Sequence, residues 1–380
     1  VLVLGGLLLF SACSGGQSGE VTQSVPPTSD SPAATALPTA LPSVQVVVAT
    51  QTASPEPTPT SAQAPSLPAD LEILTYRTFE GLKELTRLPY DRVIDLAFSP
   101  DHRYLRLRQA LTEDTHNDIF LDLEKGEESF SLEGGQRVYF GPESKSIASL
   151  DGNSLTVYDL GSGETKLQYN SRYQIAALSP DGRTIIEIED VEEGTGTTFR
   201  AVDLTSEEEK YRIFINGELN NSSLQFDEDE KLMAASSFAS PNTYITTIWD
   251  FRTGRVRYST YGYSEVALHP FGSEIAISSA KQSYISLVST VTWQQKIYLG
   301  PAENGPSYYS VEYSGGGRLI YALIDDEEGN STVQFWYPPS GEELPFAADQ
   351  NLLAVAVSPD NKLLAVSYQD GSVVLWGVPE

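Results

Sequence analysis

Three histidines, one cysteine and two acidic runs are the first places to look for chemistry in this sequence. The lone Cys13 cannot close an internal disulfide, and no Cys/His spacing suited to zinc occurs. His102 and His269 fall in one kind of turn and His116 in another hairpin, so all three are expected as exposed turn residues that form no triad. Asp190-Val191-Glu192-Glu193-Gly194 and Asp325-Asp326-Glu327-Glu328-Gly329 offer the carboxylate oxygens that calcium prefers. Neither follows the alternating Asp-x-Asp-x-Asp-Gly pattern, and both are expected as solvated hairpin tips. There is no His-Glu-x-x-His motif, no Gly-x-Ser-x-Gly elbow in the folded region, and no strand-to-helix context for a phosphate loop. No catalytic residue, cofactor or metal is assigned.

Tyrosine and arginine carry more information. The chain holds 20 Tyr and 14 Phe against one Met, a skew that suits half-exposed strands. Tyr90 and Arg92, Arg137, Arg172 and Tyr173, Tyr261 and Tyr263, and Tyr308 and Tyr309 recur in short connections between apolar runs. These residue types combine a large contact area with a polar tip, which is why binding hot spots favour them.

The elements that would position them repeat seven times. An apolar alternating run enters a short turn and leaves into another apolar run, at Ser99-Pro100-Asp101, Gly141-Pro142-Glu143, Ser179-Pro180-Asp181-Gly182, Asp227-Glu228-Asp229, His269-Pro270-Phe271-Gly272, Ser314-Gly315-Gly316-Gly317 and Ser358-Pro359-Asp360-Asn361. Pro pre-sets φ at the second turn position and Gly suits the fourth. A second hairpin follows, marked by Asp151-Gly152 and Asp370-Gly371. A third strand then ends in apolar-x-Asp-apolar, as in Val157-Tyr158-Asp159-Leu160 and Ile248-Trp249-Asp250-Phe251. The turns stand roughly 38 to 48 residues apart, the spacing of four-stranded propeller blades.

On these motifs the chain resembles the WD-repeat family over nearly all of residues 71–380. Trp249-Asp250 is a literal pair, and Trp336 and Trp376 hold the equivalent Trp without the Asp. The Gly-His pair that opens the family's repeats is missing, so its buried His-based hydrogen-bond network is not expected in most blades. The resemblance implies an all-β fold, a seven-bladed β-propeller of four-stranded antiparallel blades, preceded by a disordered linker. Leu82 to Leu88 is expected to supply the fourth strand of the last blade and close the ring. In such a propeller the connections bearing the tyrosines and arginines share one face with the second-to-third-strand hairpins. A lactonase-type propeller hydrolase would need acids and amides converging on the channel, whereas the inner strands begin mostly with apolar residues, Tyr or Ser. An envelope-assembly subunit is a further alternative.

The first residues point to export. Val1 to Ala12 is an apolar run too short to span a bilayer, and Phe10-Ser11-Ala12-Cys13 resembles the bacterial lipobox. That resemblance implies a signal segment at 1–12 and lipidation of Cys13. Residues 13–70 contain ten of the 23 prolines and no Lys or Arg, a composition expected to stay extended and disordered. A formal net charge of −28 argues against nucleic acid. The expectation is a monomeric, extracytoplasmic binding scaffold that meets a membrane only through its lipid and recognises a protein or polysaccharide.

Overall fold

The computed structural model describes residues 67–380 apart from 69, 113–114, 135–136, 190–195, 220–223, 241–242, 264, 279–282, 302–305, 307, 326–329 and 347–350. Cys13, the export segment and most of the linker therefore lie outside the described residues. The described strands form seven antiparallel sheets, so the expected seven-bladed propeller is the fold. Blade one is Val93–Phe98, Tyr104–Ala110, His116–Asp122 and Glu127–Glu133 from the inside outward, and blade two is Arg137–Phe140, Ser146–Asp151, Ser154–Asp159 and Thr165–Asn170. Blade three is Gln174–Leu178, Thr184–Glu189, Thr197–Asp203 and Glu209–Ile215. In blade four the inner strand is two pieces, Glu218–Leu219 and Gln225–Phe226, followed by Leu232–Ser240, Thr243–Asp250 and Arg255–Tyr261. Blade five is Glu265–Leu268, Glu274–Ser278, Ile285–Ser289 and Gln295–Leu299, and blade six is Tyr308–Tyr313, Ile320–Asp325, Ser331–Tyr337 and Glu342–Leu344.

Blade seven takes three strands from the end of the chain, Leu352–Val357, Leu364–Tyr368 and Ser372–Gly377. Its outer strand is Lys83–Pro89, antiparallel to Ser372–Gly377 with Leu88 opposite Val373. The closure strand therefore sits where the sequence placed it. The ring is sealed further where Ser367 Oγ of blade seven donates to the Val93 carbonyl of blade one at 2.8 Å. Ahead of this strand lies a strap that the repeat pattern did not anticipate. Leu71 bridges to Pro379, the Leu74 N–H donates to the Asn361 carbonyl at 2.6 Å, and Leu74 and Phe79 are fully buried.

The turns owe more to serine than to proline. In blade one Ser99 Oγ accepts the Tyr104 N–H at 2.8 Å and donates to Asp101 Oδ1 at 2.6 Å, and Asp101 Oδ1 accepts the Arg103 N–H at 3.1 Å. Ser179/Asp181 and Ser358/Asp360 repeat this arrangement. In blade four the carboxylate of Asp227 takes the serine's place, accepting the Leu232 N–H at 2.7 Å. The fourth turn position is left-handed whether it is Gly182 (φ 73°), Gly272 (63°), His102 (54°), Glu230 (54°) or Asn361 (56°). An L side chain with a Cβ is strained there. Replacing exposed His102 with Gly should therefore stabilise the domain by about 0.5–1 kcal/mol, measured as a rise in the denaturant midpoint.

The aspartate that ends the third strand in blades one to four serves the next turn. Asp159 Oδ1 accepts the Gly161 and Ser162 N–H groups at 3.0 and 2.8 Å, and Asp203 Oδ1 accepts those of Thr205 and Ser206 at 2.9 and 3.1 Å. Lys166 pairs with Asp159 at 2.6 Å and Lys210 with Asp203 at 3.2 Å. The hydrogen bond from Lys166 at Asp159, and the backbone donors at Asp203, hold both carboxyls down at about 2. Their support is complete above pH 3.8, the ordinary aspartate value, and is lost as pH falls towards 2.

Candidate binding face and central channel

Because the strands alternate direction, the inter-blade connections and the second-to-third-strand hairpins emerge on one face of the ring. Blade three builds a polar network there. Tyr173 donates to Glu189 Oε1 at 2.8 Å, and the Arg172 and Arg200 guanidiniums lie 4.5 and 4.9 Å from its ring centroid. Arg200 also reaches Glu187 at 2.7 Å and Glu209 at 2.9 Å, and Arg212 joins Glu189 to Glu209. The same tyrosine-to-carboxylate bond recurs as Tyr90 to Glu128 at 3.2 Å and Tyr309 to Asp325 at 2.6 Å. Burial, with the neighbouring carboxylate second, pushes the Tyr90 hydroxyl far above its ordinary value. Much of the tyrosine excess therefore fastens this face to its own acidic residues.

Of the sequence-selected residues, Arg92, Arg172 and Tyr261 are exposed, and Tyr90, Tyr173, Tyr263 and Tyr309 are half-buried. Tyr308 has to be removed from the face. Its ring is fully buried, edge-on to Trp336 at 5.3 Å, with its hydroxyl donating to Gln334 at 3.3 Å. Adjacent residues of a strand point to opposite sides, so Tyr308 and Tyr309 could not both face outward. Arg137 is also misplaced by sequence alone. It lines the central channel, where its guanidinium donates to the Ala176 carbonyl of blade three.

Several aromatics escaped the sequence reading. Phe214 lies near the end of blade three's outer strand with 58% exposure, and Phe238 and Tyr244 flank blade four's hairpin with ring centroids 5.3 Å apart. Tyr284 and Tyr298 meet at 4.5 Å in blade five, and Tyr261, at the end of blade four's outer strand, is 69% exposed. Burial first, then Tyr284, pushes the Tyr263 hydroxyl up to about 12. The signal for Phe214 was its place on the outward side of the alternating run Tyr211-Arg212-Ile213-Phe214-Ile215.

The histidines sort differently from the expectation. His102 is exposed, but His116 is half-buried beside Asp118, and His269 is half-buried with its ring 5.1 Å from Tyr313. Burial lowers the His269 pKa. Asp190–Gly194 and residues 326–329 of the second acidic run lie outside the described residues. Among the described residues, no group of three or more His, Cys, Asp or Glu is placed to hold a metal ion.

The channel is more polar than the inner-strand sequences suggested. A cavity of about 790 Å³ is lined by Asp95, Arg106, Arg108, Arg137, Glu312 and Tyr321 among apolar neighbours. Arg106 pairs with Asp95 and donates to the Val138 carbonyl at 2.9 Å, and Arg108 grips both oxygens of buried Asp118 at 3.0 and 2.9 Å. Arg106 and Arg108 were hidden on a second strand, where Leu105-Arg106-Leu107-Arg108 alternates, whereas Asp95, Arg137 and Glu312 lie on the inner strands themselves. Glu312 is exposed on the cavity wall yet surrounded by protein, and it accepts the Tyr321 O–H at 2.5 Å. That enclosure, with Asp95 a smaller contributor, pushes its carboxyl up to about 7.

The sign for stability follows. Below pH 4.5 Glu312 is protonated in both states, and between 4.5 and 7 the unfolded chain loses the proton first. Its contribution to stability therefore falls as pH rises through that window. Glu312→Gln should flatten this part of the pH–stability curve and raise stability at pH 8. A variant whose denaturant midpoint follows wild type at every pH would contradict this.

Residues 346–377, most of blade seven, match the family model described as WD domain, G-beta repeat. No curated protein matches the chain. Among solved structures, the chain is similar to the β-propeller domain of Cps50 (Swd1) from Myceliophteria thermophila, with a TM-score of 0.59 at 14% identity. That likeness covers 78% of this chain and 99% of the other, and it speaks for the fold: this is a β-propeller containing a WD40 repeat.

Proposed function

We propose that the chain is a non-catalytic binding scaffold of the cell envelope, tethered by a lipid on Cys13 and recognising a protein or polysaccharide through the tyrosine-bearing face. WD40 propellers serve as protein-interaction scaffolds in general, which supports the coarse reading. The observation that carries the finer one is the concentration of exposed aromatic side chains on that face from blade three to blade five: Phe214, Phe238, Tyr261 and Tyr298. Large amphipathic side chains left uncovered in this way mark contact surfaces. The route of the chain supports the tether. Leu71 and Leu74 bond to Pro379 and Asn361, beyond strand ends on the opposite face. A link at the N-terminus would thus leave the tyrosines clear.

Two experiments separate the parts. Cys13→Ser should move the protein from the membrane fraction to the soluble fraction of its cells, and an unchanged distribution would remove the anchor. Crosslinking on intact cells, with the full chain as bait, should capture a partner through residues of blades three to five. Crosslinks confined to the opposite face would reverse the assignment.

A further inference from the structure

The strap that leads into the propeller builds a second cleft, away from the tyrosine-bearing face. About 520 Å³ in volume, it is lined by Tyr76 and Arg77 of the strap and by Gly317, Arg318, Tyr337 and Pro339 of blade six. We infer that this cleft binds an oxyanion, a carboxylate or a phosphate, held between Arg77 and Arg318.

Charge is the first reason. The chain has 52 acidic and 24 basic residues, and arginines such as Arg87, Arg103, Arg200 and Arg212 are each paired with carboxylates. Among the described residues, neither Arg77 nor Arg318 has an ion-pair partner, and no carboxylate lines the cleft. Other described arginines, such as Arg92 and Arg172, also lack an ion pair, but Arg77 and Arg318 line the same cleft, and that cleft offers them no carboxylate. Guanidinium suits an oxyanion because its planar fork matches both carboxylate and phosphate oxygens.

Preorganisation is the second reason. Arg77 Nε donates to the Tyr76 hydroxyl at 2.7 Å, and its guanidinium lies 5.2 Å from the Tyr76 ring centroid. These contacts orient the side chain while using only its inner nitrogen among the described residues. Tyr76 in turn rests on Tyr337, with centroids 4.9 Å apart. The loop beneath is fixed by threonine hydroxyls. Thr78 Oγ1 donates to the Ile73 carbonyl at 2.7 Å and accepts the Thr75 N–H at 2.9 Å. Phe79, fully buried against Phe335 at 5.0 Å, pins the end of the strap.

The test is calorimetric titration of the full chain with inorganic phosphate and, separately, with glutarate, in low-chloride buffer. Saturable one-to-one binding of at least one anion is expected. Phosphate alone would assign a phosphate ligand and glutarate alone a carboxylate. The double variant Arg77→Ala/Arg318→Ala should bind at least tenfold more weakly with an unchanged melting temperature, because both side chains are exposed. Arg77→Lys/Arg318→Lys, which keeps the charge but not the fork, should fall between. If neither anion saturates, or the alanine variant binds as tightly as wild type, the assignment is wrong. None of these outcomes bears on the tyrosine face.

Discussion

A chain beginning at Tyr90 should not yield a folded monomer. Such a truncation removes Lys83–Pro89, the outer strand of blade seven, together with the strap that holds Leu74 and Phe79. Leu74, Phe79 and Leu88 are at most 2% exposed. Loss of a buried Leu costs about 2–5 kcal/mol and of a buried Phe about 3–5. Together these losses reach the whole stability of an ordinary domain, about 5–15 kcal/mol. The strand Ser372–Gly377 would also become an open edge with its backbone groups unpaired, a template for aggregation. Size-exclusion chromatography of the truncated chain should show aggregate in place of a monomer peak. Phe79→Ala alone, which keeps the edge covered, should remain monomeric but lose about 3–5 kcal/mol. A truncated chain that melts cooperatively at the wild-type temperature would show that the closure is dispensable.

Trp249→Ala should cost about as much as losing Phe79, while Trp249→Phe should cost far less. The indole is 1% exposed, packed edge-on against Phe199 at 6.2 Å between blades three and four. Truncation to Ala leaves a large cavity and costs about 3–5 kcal/mol. In a repeat with the His-based network, the indole N–H is expected to be an anchored donor whose loss would add to that cost. Here Trp249 Nε1 is buried with no acceptor among the described residues, and Trp376 Nε1 is the same. An unmet buried donor destabilises the native state by about 1–3 kcal/mol, so Phe removes a penalty while retaining most of the packing. Denaturant titration of both variants separates the cases. Equal losses for Ala and Phe would mean that the N–H has a partner after all.

These expectations also show which features a sequence exposes. The seven turns were legible because Ser179-Pro180-Asp181-Gly182 and its relatives are local devices, built in blades one, three and seven from a hydroxyl, a carboxylate and a left-handed residue within five positions. The closure strand could be placed by counting strands, since a ring leaves no edge open. Residues 71–81 escaped because Leu71, Leu74 and Phe79 follow no strand or helix period and are buried only by partners nearly 300 residues away. Tyr308 and Arg137 were misplaced for another reason. A loop's membership of a face can be read from topology, but the side on which one side chain leaves the strand depends on register and on bulges. The register shift between Tyr309 and Glu312, with Ser310 at φ 49°, is such a bulge. It lies beside Glu312, which the sequence reading also passed over.

The claim that the tyrosine-bearing face binds the partner is tested most directly by measuring affinity for the crosslinked partner with three proteins. One is wild type, one carries Phe214→Ala, Tyr261→Ala and Tyr298→Ala, the exposed aromatics of the tyrosine-bearing face, and one carries Arg103→Ala, Lys231→Ala and Phe271→Ala on the opposite face. Hot-spot side chains each contribute about 2 kcal/mol or more, so the first triple variant should lose binding by at least a thousandfold. The second should bind as wild type does, with both variants melting cooperatively. Unchanged affinity in the first triple variant, or its loss only in the opposite-face variant, would contradict the account.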